Sequence, residues 1–164
     1  MKKQPTTKNM DKQEPKVLLT QEGLQKLKEE YDDLVKVKRQ EVTEKIARAR
    51  EFGDLSENSE YDTAREEQSF IEGRIMELEE ILTHAKVIEA TKDDGSIKIG
   101  SKVKVKTDGD VDEYVIVSSV EANPMEGKIS VDSPVGKALL GSKVGDEVKI
   151  KTNIEAIYKV LEVK

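Results

Sequence analysis

The sequence predicts an α+β protein: an N-terminal antiparallel α-helical coiled-coil hairpin, followed by a small, mostly antiparallel β domain with a short helix. Three observations predict it. Between Leu24 and Ala85 the apolar residues recur at spacings of three and four, the period of a helix seam. The acidic stretch GDLSENSE, residues 53–60, divides that pattern into two arms of matched length. Past Ala90 the pattern changes to short β-rich runs separated by Gly-Ser, Gly-Asp and Asn-Pro turns. With 35% hydrophobic and 38% charged residues, the chain is too apolar to be wholly disordered and too charged for one compact ball. Long solvated helices absorb such a charge content.

The elements follow in order. Residues 1–16 carry two prolines and no periodicity and read as a flexible tail. A strand-like VLL precedes Thr20, which can cap a helix by accepting a bond from an N–H of its first turn. Gly23 weakens that turn. Leu24, Leu27, Tyr31 and Leu34 form the first seam, continued by Val42, Ile46 and Ala49. The seam loosens near Lys38, where Val35 and Val37 flank the missing position. With no Pro or Gly from 24 to 52, about 30 residues of helix would span roughly 45 Å. The second seam runs Tyr61, Ala64, Gln68, Ile71, Ile75, Leu78, Leu82, Ala85, within a helix expected over 57–86. Gly53 can end the first helix and Ser56 can cap the second. A bundle element or a homodimeric coiled coil would show the same heptads; the matched arms favour an intramolecular hairpin.

The domains expected are therefore a hairpin over 17–88, with its acidic tip at 53–60, and a β domain over 89–164. Strands are expected at 102–106, 114–120, 128–131, 147–150 and 156–163. SPVGKALLG, residues 133–141, reads as a short helix with Ser133 as cap, Pro134 in its first position and Gly141 at its end.

A net charge of −6 argues against strong binding of free DNA or RNA. The absence of cysteine excludes disulfides and thiol chemistry. No apolar run approaches the roughly 20 residues that span a bilayer, and the N-terminus lacks the apolar core of a signal peptide. A cytoplasmic protein without membrane contact is expected.

Within 53–60 lie Asp54, Glu57 and Glu60. Two readings fit. A solvated turn is often acidic, and Glu57 in a first helical turn favours the helix dipole. Alternatively, Asp54 and Glu57 form half of a Mg²⁺ site. This ion keeps several waters and is usually completed by a substrate or a second protein; a second ion delivered to an enzyme holding one could assist phosphodiester hydrolysis. No phosphate cradle or Cys/His cluster accompanies the pair. The lone His84 lies at the far end of the second helix and reads as a junction residue. Arg48, Arg50 and Arg65 flank the tip as partners for phosphate or for neighbouring acids, and Glu44 and Arg48 have helix-pair spacing. Tyr61 opens the second seam, where packing accounts for it and partner contact is also open.

Three stretches resemble the Gre family of bacterial transcript cleavage factors, and within it the GreA type. LTQEGLQKLKEE at 19–30 resembles the family's start, AREFGDLSENSEYDTAREEQ at 49–68 its hairpin-tip signature, and ISVDSPVGKALLGSKVGDEV at 129–148 its second signature. The likeness covers Leu19 to Val163. The tail is longer than usual, and KTNIEAIYKV replaces the commoner Pro-Gly-Gly turn before the last strand. The resemblance implies an FKBP-like C-terminal domain that binds bacterial RNA polymerase and a hairpin that enters its secondary channel. Asp54 and Glu57 would share a second Mg²⁺ there, only in the complex, with no cofactor held stably by the free protein. The polymerase would then cleave its own backtracked RNA and resume elongation, so the factor, probably monomeric in the family's manner, is not itself an enzyme. Arg48, Arg50, Ser59, Tyr61 and Arg65 become candidate contacts to the nascent RNA 3′ end, the channel wall and the nucleic acid of the transcription complex. The modest basic set Lys45, Arg48, Arg50 and Arg65 favours the GreA over the GreB type. The competing classes are a pure interaction module and an FKBP-like prolyl isomerase with a helical arm.

Overall fold

The computed structural model describes residues 17–51, 59–88, 94–151 and 155–164. Strand β1 (Val17–Leu19) leads into helix α1 (Gln21–Asp33). Thr20 caps α1, its hydroxyl accepting from the Gly23 N–H at 2.9 Å. A π-helical turn over Leu34–Lys38 then joins α1 to α2 (Arg39–Glu51) without a break in helical backbone. Together they make 31 residues of continuous helix, residues 21–51, about 45 Å long.

The π turn explains the loosened seam. The first seam, extended by heptads from Leu27 and Leu34, would next reach position 41, and from Leu24 and Tyr31 it would reach 45. The buried residues are instead Val42, Ile46 and Ala49, each one residue late. A π turn holds one extra residue per turn, so it absorbs that slip. Leu34 and Val35, consecutive in sequence, both pack against the hairpin core as a result.

Helix α3 (Ser59–His84) returns antiparallel to this arm, burying Ala64, Ile71, Ile75, Leu78 and Ile81. It ends two residues before the expected position 86. Ala85–Val87 form strand β2, which pairs in parallel with β1, from Val17↔Ala85 to Leu19↔Val87. This pairing satisfies backbone groups that a further helical turn would have left at a free end. Ile81 is more deeply buried than the expected Leu82, because the base of α3 packs on β1 as well as on α1: Leu19, Leu27, Leu78 and Ile81 form one cluster, with Leu82 and Ala85 at its edge.

The C-terminal sheet has the order β5-β4-β3-β7-β6, from β3 (Lys102–Thr107), β4 (Asp110–Val117), β5 (Lys128–Ser130), β6 (Glu147–Lys151) and β7 (Glu155–Val163). All pairings are antiparallel except β4 with β5. Asp108 and Gly109 link β3 to β4 with positive φ at both positions, 48° and 99°, the two-residue turn whose twist suits a hairpin. The altered segment before the last strand leaves β6 and β7 in regular register from Glu147↔Lys159 to Lys151↔Glu155. Helix α4 (Pro134–Leu139) starts as expected: Ser133 accepts from the Gly136 N–H, and Pro134 takes the first position. Its Leu139 joins Ile97, Val103, Val105, Ile116 and Val160 in the core of this domain. The small, mostly antiparallel β domain is thus the one expected, but the strand predicted over 114–120 runs from Asp110 to Val117 and gives way to 3₁₀ turns at Ser119–Glu121 and Pro124–Glu126.

Candidate functional site

The two tip acids, Asp54 and Glu57, lie outside the described residues, as do the expected caps Gly53 and Ser56. What the structure describes is the arm on either side of them. Polar contacts cross from α1 and α2 to α3 along its length. The Tyr31 hydroxyl donates to Glu79 at 2.9 Å. Arg39 grips Glu72 through Nε and a terminal nitrogen, both at 2.7 Å. Lys45 reaches both oxygens of Glu67 at 2.7 Å. The Arg50 guanidinium lies 5.7 Å from the centre of the Tyr61 ring, within reach of a cation–π attraction. The midpoints of these four pairs fall at positions 55 to 56. These four pairs therefore centre on the 53–60 stretch, while Arg74–Glu30 nearer the base is offset from it, with its midpoint at position 52.

Solvent-facing ion pairs add little to stability; their value here is register. The charges are correspondingly tuned. The Arg39 guanidinium holds the Glu72 carboxyl below its ordinary range. The bond to Glu79 pushes the Tyr31 phenol up. Nearer the base, Arg74 donates to both Glu30 oxygens at 2.7 and 2.9 Å, and that carboxylate raises its pKa further above its already high ordinary value.

The remaining candidates take distinct places. Ser59 begins α3, its carbonyl accepting from the Thr63 hydroxyl at 2.8 Å. Tyr61 is half-buried against the hairpin core. Arg65 is exposed and donates to Gln68 at 2.7 Å, which also engages the one polar position of the second seam. Arg48 points its Nε at the backbone carbonyl of Glu44 at 3.4 Å, where the spacing had suggested the carboxylate. Arg48 and Ser59, with Lys45, Ala49, Thr63 and Glu67, border an open groove of about 500 Å³ between α2 and α3. His84 ends α3, with Nδ1 2.9 Å from the Glu80 carbonyl, the junction role expected. Among the described residues no group of three or more His, Cys, Asp or Glu could hold a metal ion, and no helix is long and apolar enough to cross a membrane.

The cross-arm pairs Arg39–Glu72 and Lys45–Glu67 escaped the sequence reading. Their signal was present as opposite charges mirrored about positions 55 to 56, but it becomes visible only once the hairpin is assumed.

A long helical arm rooted in a small β domain, with an acidic stretch between its two helices in sequence, defines the class: a helical-hairpin protein with a C-terminal β domain. Comparison with known proteins gives the family. Residues 17–87 match the family described as transcription elongation factor, N-terminal, and residues 92–164 match the GreA/GreB C-terminal family. The transcription elongation factor GreA of Caldanaerobacter subterraneus subsp. tengcongensis is 55% identical over 153 residues, covering 90% of this chain and 97% of the relative. GreA of Bacillus subtilis is 50% identical over 151 residues, covering 88% and 94%. Among solved structures, GreA factor homolog 1 of Thermus thermophilus is 32% identical, covers 90% of this chain and 98% of its own, and has a TM-score of 0.42. The chain belongs to the GreA/GreB family of transcription elongation factors.

Proposed function

We propose that this protein is an elongation factor that binds bacterial RNA polymerase through its β domain and passes its hairpin into the secondary channel. There it stimulates the polymerase's own cleavage of backtracked RNA. The observation that carries the reading, beside the family, is the pairing of the two arms about positions 55 to 56. It makes 31 residues of continuous helix a stiff rod with the acidic stretch between its halves. The factor would act in the cytoplasm, as a monomer.

Asp54 and Glu57 offer hard oxygen donors of the kind Mg²⁺ takes, and too few of them to hold the ion alone. They would hold it jointly with the polymerase. When bound, such an ion favours phosphodiester hydrolysis by activating water and offsetting developing charge. The factor's own side chains would bring the carboxylates and position the RNA. Arg65 and Arg48 lie on either side of the acidic stretch in sequence and would face the RNA or the channel wall. Ser59 and Thr63 would add neutral hydrogen bonds from the first turns of α3. Arg50, drawn onto Tyr61 across the arms, would chiefly stiffen the region behind the acids.

Backtracked RNA polymerase complexes with a 3′-proximal RNA label test this. Release of short 3′ fragments is expected only when factor and polymerase are both present. Fragment release by the factor without polymerase, or none at all despite confirmed binding, would contradict the reading.

A further inference from the structure

The start of α1 contains half of a familiar motif. In a reciprocal helix cap, Thr or Ser accepts the N–H of the third helical residue, and a Glu or Gln side chain at that third position accepts the N–H of the cap. Thr20 supplies the first half, accepting from Gly23 N–H at 2.9 Å. The third position is Gly23 itself, which has no side chain to return. The missing carboxylate comes from Glu121, 101 positions away in the β domain. Its Oε2 accepts from the Thr20 N–H at 3.1 Å, and its Oε1 accepts from the Thr20 hydroxyl.

The fit depends on the glycine. A Cβ on residue 23 would lie 1.7 Å from Glu121 Oε1 and 2.6 Å from its Cγ. Glu121 therefore occupies the volume that a side chain at 23 would fill. It is also held from its own side, because the buried Ser118 donates to Oε2 at 3.0 Å. Nearby, Lys128 of β5 donates to Glu22 of α1 at 2.9 Å, a second tie between the start of α1 and the β domain.

We propose that Glu121 is a positioning residue: it completes the cap of α1 across the domain boundary, with Gly23 as its socket, and so fixes the angle of the hairpin on the β domain. The inference rests on the proposed function, since the angle matters only if the acids must reach a fixed point. The lever is long. On an arm of about 45 Å, an angular error of about 10° moves the far end by about 8 Å. Reacting groups misplaced by as little as about 1 Å can lose roughly 100-fold in rate.

The chain has no cysteine, so Phe70→Cys on α3 and Val111→Cys on β4, both exposed in the parent, accept spin labels without background. The full-length doubly labelled protein should give one narrow distance distribution. Glu121→Ala should broaden or shift it. Gly23→Ala should do the same by displacing Glu121, although alanine favours helix over glycine, so that variant does not act by weakening α1. The combined Glu121→Ala, Gly23→Glu variant rebuilds the cap within the helix but not the tie between domains. Its melting temperature should recover while its distance distribution stays broad. On backtracked polymerase, the three variants should bind within about threefold of the parent and cleave at least about tenfold more slowly at saturation, the sign of misplacement rather than lost affinity. Parent-like distances in Glu121→Ala and Gly23→Ala, or their full restoration in the combined variant, would overturn the proposal and leave Glu121 as a helix cap only. A parent protein that binds polymerase without cleavage would instead contradict the proposed function, and the distances would still decide this inference.

Discussion

Two residues of the β domain show how tightly local chemistry is set. Tyr114 of β4 packs half-buried against the domain core. Burial, and then the nearby Asp112 carboxylate, push its phenol up to about 12. In the unfolded chain a tyrosine titrates near 10. The neutral phenol therefore favours the folded state fully below about pH 10, and that contribution is lost as pH rises through the folded value. Alkaline unfolding curves should show stability falling over this window, and Tyr114→Phe should flatten the fall. Gly136 meets a harder limit. A Cβ there would lie 2.0 Å from the Ser130 carbonyl oxygen and 2.8 Å from its carbon, backbone atoms that cannot swing aside. Gly136→Ala should lower stability in urea by about 3 kcal/mol, as overpacking of a close contact does. A loss of less than about 0.5 kcal/mol, the usual range for surface changes, would show that α4 can lift from β5 freely.

At the scale of the element, the hairpin separates what a linear pattern reveals from what it hides. Both seams, the Thr20 cap and the Ser133–Pro134 helix start were legible, because each rests on residues within a few positions of one another. The π turn was visible only as a gap near Lys38: periodicity registers a phase slip but does not say how backbone absorbs it. Strand β2 was hidden because Ala85 continues the heptad, while its capture by β1 depends on a partner 68 positions earlier. The parallel edge pairing of β4 with β5 and the arrival of Glu121 at Thr20 are likewise set by tertiary packing alone. The one-residue slip can be tested by deletion. Deleting Val37 removes the extra residue, so Val42, Ile46 and Ala49 fall into uninterrupted heptads with Leu27 and Leu34. That variant should retain its helical circular dichroism and melt within a few degrees of the parent. Deleting Gly73 from the unbroken seam of α3 should put Ile75, Leu78 and Ile81 out of phase and lower the melting temperature by well over 10 °C, since single buried aliphatic side chains contribute about 2–5 kcal/mol each and 1 kcal/mol moves a midpoint by about 2–8 °C. Equal effects of the two deletions would refute the π turn as the site of the slip.

For the whole molecule, the proposed division of labour is between a docking body and a reaching arm. The β domain has its own apolar core and the hairpin has two, and the two parts meet where Glu121 and Lys128 reach α1. The acids Asp54 and Glu57 are proposed from the sequence alone. Their proposed role is to complete a metal site that belongs to another protein. The most direct test is a Mg²⁺ titration of transcript cleavage by backtracked polymerase, comparing the parent factor with the Asp54→Ala, Glu57→Ala variant at concentrations that saturate binding. The parent should accelerate cleavage at Mg²⁺ levels where polymerase alone is slow, and the variant should bind equally well yet leave the rate at the factor-free level throughout. A variant that cleaves like the parent across the titration would contradict the claim that these two carboxylates carry the activity.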